Sequence, residues 1–199
     1  TSNQIASIST SALTAITTDQ LSKLTATQIG YLSQKQISSL TTAQAAALSS
    51  AQLNAMRSPQ IRALTTAQIP VIPTATLAAL TTTFIAYTTP TQLASLTTAQ
   101  TPKLTSDQVK ALTLAQVSAL ETADLALMSD AQLQSFTTKQ IAALTSNQVS
   151  NLSASQVVAF TTDQLAGLST SAVTALTTLT LSGLGTDDLS AFTSKQIKA

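Results

Sequence analysis

The chain has 199 residues, of which 44% are hydrophobic, 9% charged and 3% aromatic, with a formal net charge of +1. That length and apolar content are enough for a buried core and argue against low-complexity disorder, which needs low hydrophobicity and high net charge. Cys and His are absent, which removes disulfides, thiol chemistry and the two commonest transition-metal ligands, and nine scattered cations make no basic stripe for nucleic acid.

From Thr1 onward the letters fall into octads with no insertion or deletion. Thr or Ser holds the first position in 21 of 25 octads, and Gln the fourth in 18 of 25. A large aliphatic holds the fifth in 23 of 25, and Leu, Ile, Met or Phe the eighth in 23 of 24. Loops tolerate length changes and packed elements do not, so every octad should be a packed element of a solenoid.

Ser or Thr followed three residues later by Gln is a capping box, in which each side chain accepts from the other residue's backbone N–H. Two turns of helix consume about 7.2 residues, so one continuous helix would let an eight-residue pattern drift around its axis. The pattern therefore predicts an all-α solenoid, a superhelical spiral of very short capped helices, one per octad, with the fifth and eighth positions facing the core. Such helices are too short to stand alone and must be held by stacking. Charge placement agrees: Asp19, Lys35, Asp107, Lys139, Asp163, Asp187 and Lys195 fall at third positions, Arg62, Lys110 and Lys198 at sixth, and none at a fifth or eighth. A β-solenoid with Thr and Gln ladders competes for the same residues. Strands, however, want period-two alternation and tight coils want turn glycines, and the chain has four Gly.

Between residues 69 and 104 the repeat loosens. Pro59 and Pro90 fall in first turns and Pro73 at a cap, where proline is tolerated. Pro70 and Pro102 fall at sixth positions, where each removes a backbone donor, so their octads should be distorted. Thr88 and Thr101 replace core aliphatics and Phe84 replaces a capping Gln. This stretch reads either as local decay or as a contact patch for a partner, using Phe84, Tyr87 and Pro90.

The regular pattern resumes beyond it. Thr105 with Gln108, Thr137 with Gln140 and Thr161 with Gln164 are well-formed capping boxes by sequence. Asp187, Asp188 and the Glu121, Asp124 and Asp130 group are the nearest approach to a carboxylate cluster, and first-turn positions explain them. With no His or Cys, no nucleophile has an activating base, so neither enzymatic activity nor a cofactor is expected. No apolar run approaches the ~18 residues of a membrane span, and no membrane insertion is expected.

The segment LTSDQVKALTLAQVSAL resembles the first helix of plant-pathogen transcription-activator-like effector repeats. Their second helix and base-reading loop are missing here, so DNA reading is not implied. All 25 octads together resemble the T-x-x-Q-[ILV]-x-A-L tracts of long bacterial surface and secreted proteins of the adhesin or haemagglutinin-like class. That resemblance implies an extracellular stalk, matrix or filament element. The array begins on a cap at Thr1 and breaks off at Ala199 inside an octad, which raises the expectation of a fragment or of a subunit that associates end to end or laterally. The alternatives are ice binding by evenly spaced hydroxyls and a superhelix that docks a protein.

Overall fold

In the computed structural model, which describes residues 2–199, 23 α-helices of four to six residues follow one another, one per octad. Two octads lack an α-helix, 65–72 and 97–104. The first is a run of turns around Pro70, and the second keeps a single 3-10 turn at Thr101–Lys103 around Pro102. Both distortions fall where the sixth-position prolines predict them, because a helix interior cannot spare the missing N–H.

The octad restarts its helix without any left-handed residue. Among the described residues none, glycine included, has positive φ. In the six-residue helices the eighth position leaves the helix in an extended conformation, as at Leu120 (φ −58°, ψ 132°), and the next first position is extended too, as at Thr137 (φ −70°, ψ 158°). An extended pair breaks the spiral at no steric cost to a side chain, which is why four glycines are enough.

Contacts group the chain into two compact units, residues 1–103 and 104–199, with the boundary inside the irregular stretch. Each unit is wound in the same way. In the first, the helix Ala26–Gly30 packs on Ser50–Asn54 and Gln34–Ser39 on Ser58–Ala63; in the second, Ser106–Lys110 packs on Asp130–Ser135 and Thr162–Gly167 on Thr186–Ala191. Helices three octads apart are therefore neighbours. Side-chain hydrogen bonds to backbone carbonyls join residues 25, 28 and 31 apart. With helices packing three octads apart and these bonds spanning 25 to 31 residues, one superhelical turn takes between three and four octads.

Fifth- and eighth-position side chains fill the interior, with Leu13, Leu21, Ile37, Leu133 and Ile141 fully buried. The stack, and not the single helix, does the burying. In the last described turn the fifth-position residues Leu181, Leu189 and Ile197 are 38%, 44% and 68% exposed, because no further turn covers them.

Candidate functional site

The feature that recurs along both units is a buried glutamine. The predicted capping boxes form as drawn. Thr105 N–H donates to Gln108 Oε1 at 2.9 Å, Thr137 N–H to Gln140 Oε1 at 2.7 Å and Thr161 N–H to Gln164 Oε1 at 2.9 Å. The reciprocal bonds from Gln108, Gln140 and Gln164 N–H to the threonine Oγ1 atoms are 3.2, 3.3 and 3.2 Å.

The box uses only the carbonyl half of the carboxamide. Its other half reaches to the preceding superhelical turn. Gln140 Nε2 donates to Val109 O at 3.0 Å and to Leu112 O at 2.8 Å; Gln164 Nε2 donates to Leu133 O and Phe136 O at 2.9 and 2.8 Å. The same pair of targets, 31 and 28 residues back, serves Gln36, Gln44, Gln52, Gln60, Gln68, Gln92 and Gln100 in the first unit. Those carbonyls belong to the fifth and eighth positions at the C-terminal end of a helix: the fifth already accepts from its own octad's eighth N–H, as Val109 O does from Leu112 N–H at 3.1 Å, and the glutamine adds a second bond there and serves the eighth, which lies past the last intrahelical donor. One side chain thus caps the N-terminus of its own helix and the C-terminus of another, in the turn beneath. Burial makes the arrangement matter, since Gln140 is 2% exposed and an unpaired amide there would cost its full desolvation.

Sequence reading placed these glutamines as caps and missed the second role. A signal was nevertheless present. Glu closes a capping box as well as Gln and is favoured by the helix dipole, yet no octad has Glu at the fourth position. Gln holds 18 of 25 fourth positions against Asp at two, which favours the side chain that has an NH2 to donate over one that can only accept.

Seven octads lack the glutamine, and they show what replaces it. In octad 81–88 the fourth position is Phe84, 2% exposed. The expected contact patch is corrected here. Phe84 faces inward, as the fourth-position glutamines do, and is unavailable to a partner, which leaves Tyr87, 41% exposed, and the exposed Pro90. The Thr81 N–H that a glutamine would have bound is met instead by Asn54 Oδ1 from the turn below at 2.9 Å, while Asn54 Nδ2 donates to Ala79 O at 3.2 Å. The clamp is rebuilt from the opposite side. In octad 73–80 Pro73 occupies the cap and Thr76 the fourth position; proline has no N–H for a glutamine to accept from.

Arg57 is the other departure. It stands at a cap without a capping hydroxyl, and its Nη2 donates to Gly30 O at 2.9 Å. Two open clefts of about 310 and 360 Å³ flank it, one beside Pro59 and Gln34, the other beside Tyr31 and Thr27. Gly30 permits the close approach there, since a Cβ on it would lie 3.2 Å from Ala55 O.

Among the described residues no group of three or more metal-ligating side chains comes together, and no helix is long and apolar enough to cross a membrane. Two stretches, residues 46–82 and 117–154, match the ALTTAQ repeat family. Those six letters occur at Ala63–Gln68 and span the junction described above: the end of one octad, the cap of the next and its clamping glutamine. No individual curated protein matches the chain.

Proposed function

We propose that this chain is a non-catalytic structural repeat, a spacer or self-associating element of an extracellular bacterial surface, matrix or filament assembly. The observation that supports the reading is the constancy of the clamp. From the second superhelical turn onward, the regular octads carry a cap, two core residues and a bond to the turn before. Octads can be added or removed without redesigning the rest, which is what an element that sets distance requires. The resemblance to octad tracts of long bacterial surface proteins supports the location. Ligand recognition by a threonine array has less support, because the first-position hydroxyls are engaged at the caps.

The test is to lengthen the second unit by two consensus octads and by four. The proposal expects folded proteins whose far-ultraviolet helical signal and hydrodynamic size rise in even steps. Loss of folding on either extension would overturn it, as would surface labelling of the producing cells that leaves the protein untouched until lysis.

A further inference from the structure

The net charge of +1 conceals an asymmetry. Residues 1–103 hold five cations, Lys23, Lys35, Arg57, Arg62 and Lys103, against the single carboxylate Asp19, a net of +4. Residues 104–199 hold seven carboxylates against the four lysines Lys110, Lys139, Lys195 and Lys198, a net of −3.

The winding concentrates these charges further. Residues about 28 apart meet on successive turns, and Leu32, Ser33 and Gln34 line one cleft with Arg57, Pro59 and Gln60, so segments 29–35, 57–63 and 85–91 fall on one side of the first unit. Gln34–Ser39 packs on Ser58–Ala63 and that helix on Thr82–Tyr87, each pair 24 residues apart, so the three segments lie on adjoining turns. On that side stand Lys35, Arg57 and Arg62 with the exposed rings of Tyr31 and Tyr87; Asp19 is in none of the three segments. No carboxylate among the described residues pairs with Arg57, whose flanking clefts open on the same side. In the second unit the same periodicity superposes segments 104–107, 130–135, 158–163 and 186–191. These hold Asp107, Asp130, Asp163, Asp187 and Asp188; the one cation in the same register, Lys103, belongs to the first unit. All five are at least partly exposed, and Asp187 and Asp188 sit on a helix packed against that of Asp163.

We propose that the basic, tyrosine-bearing side of residues 1–103 in one copy docks on the acidic side of residues 104–199 in another. This rests on the self-associating form of the reading above and gives it a contact. The partner is a second copy because the chain carries both halves of the complementarity, and charge pairing of this kind selects partner and register. The clefts beside Arg57 receive protruding aspartates, which a guanidinium binds through paired donors, and Tyr31 and Tyr87 supply apolar contact around the charges. The joined surfaces are unlike, so each copy keeps one half free after the first contact and association can propagate.

The experiment is sedimentation of the 199-residue chain over a concentration series at about 20 mM and about 500 mM salt, where screening lengths differ several-fold. The docking predicts a mass rising above 20.4 kDa with concentration at low salt and returning to it at high salt. Two charge-reversed proteins complete the test, Lys35→Glu with Arg57→Glu and Arg62→Glu, and Asp107→Lys with Asp163→Lys and Asp187→Lys. All six sites are exposed, and circular dichroism checks that each variant keeps its helices. Each alone should be monomeric at low salt, and an equimolar mixture should associate, since the unaltered sides of the two remain complementary. Association that ignores salt and reversal would overturn this docking and leave self-association standing. A chain that stays at monomer mass throughout would overturn both.

Discussion

Replacing Gln140 by Glu changes one NH2 to oxygen and isolates the inter-turn bond from the cap. Glu keeps an oxygen for the Thr137 N–H, so the capping box survives. It loses the donations to Val109 O and Leu112 O, now 3.0 and 2.8 Å away, and turns a carboxylate oxygen toward two carbonyl oxygens at a position 2% exposed. Val109 O keeps its bond from Leu112 N–H, so the loss is two net hydrogen bonds at ~1 kcal/mol each, with part of the desolvation of the Leu112 carbonyl and of the buried charge, about 3 to 4 kcal/mol at pH 7. The same change at Gln20 is the control. Gln20 is exposed and makes its capping box with Thr17 at 2.8 and 3.2 Å, and Glu there should alter stability by less than about 0.5 kcal/mol. Acid should rescue the first variant and not the second. Burial and the facing carbonyls raise the folded-state pKa of the carboxyl introduced at position 140 above its unfolded value of about 4.3. The native state then binds more protons than the unfolded one, so stability falls as pH rises through that interval and recovers below about pH 4. Urea unfolding followed at 222 nm, with hydrogen exchange at residues 109–112, measures both effects. Equal losses at positions 140 and 20, or no recovery in acid, would refute the inter-turn role.

Further consequences follow from the departures and the period. Asn54→Ala should cost about 1 kcal/mol by removing two exposed inter-turn bonds, to Thr81 N–H and Ala79 O, and hydrogen exchange should quicken at Thr81. Ala172→Gln should stabilise the second unit by about 1 kcal/mol, because Ser169 already caps that helix and a carboxamide there can reach the carbonyls of Ile141 and Leu144; thermal melting reads the gain. Inserting eight residues of octad consensus after Leu144 should preserve cooperative folding, whereas inserting four should abolish the helical signal of that unit, since a half-octad breaks the register of caps and core positions.

Most of the local structure was legible because it is written locally. The hydroxyl at Thr137 and the carboxamide at Gln140 specify a cap within four residues, and the core positions follow from the five-and-eight spacing. The prolines at 70 and 102 announced their own distortions through a missing N–H. The superhelical turn was not legible, because it depends on which carbonyls the Gln Nε2 atoms find 28 and 31 residues away, and nothing inside an octad counts to 28. The inward position of Phe84 was hidden for the same reason. A fourth-position side chain looks peripheral on an isolated helix and becomes interior only when the neighbouring turn is laid against it. The grouping of charge became visible once residues could be sorted by their place around a superhelical turn.

The fold rests on buried carboxamides that bridge their own caps and the helix ends one turn back. Nuclear magnetic resonance of the side-chain NH2 protons of Gln140 tests it most directly. The account predicts Overhauser contacts from these protons to residues 109–112 and slow solvent exchange. Contacts confined to residues 137–144, with exchange as fast as at Gln20, would contradict it.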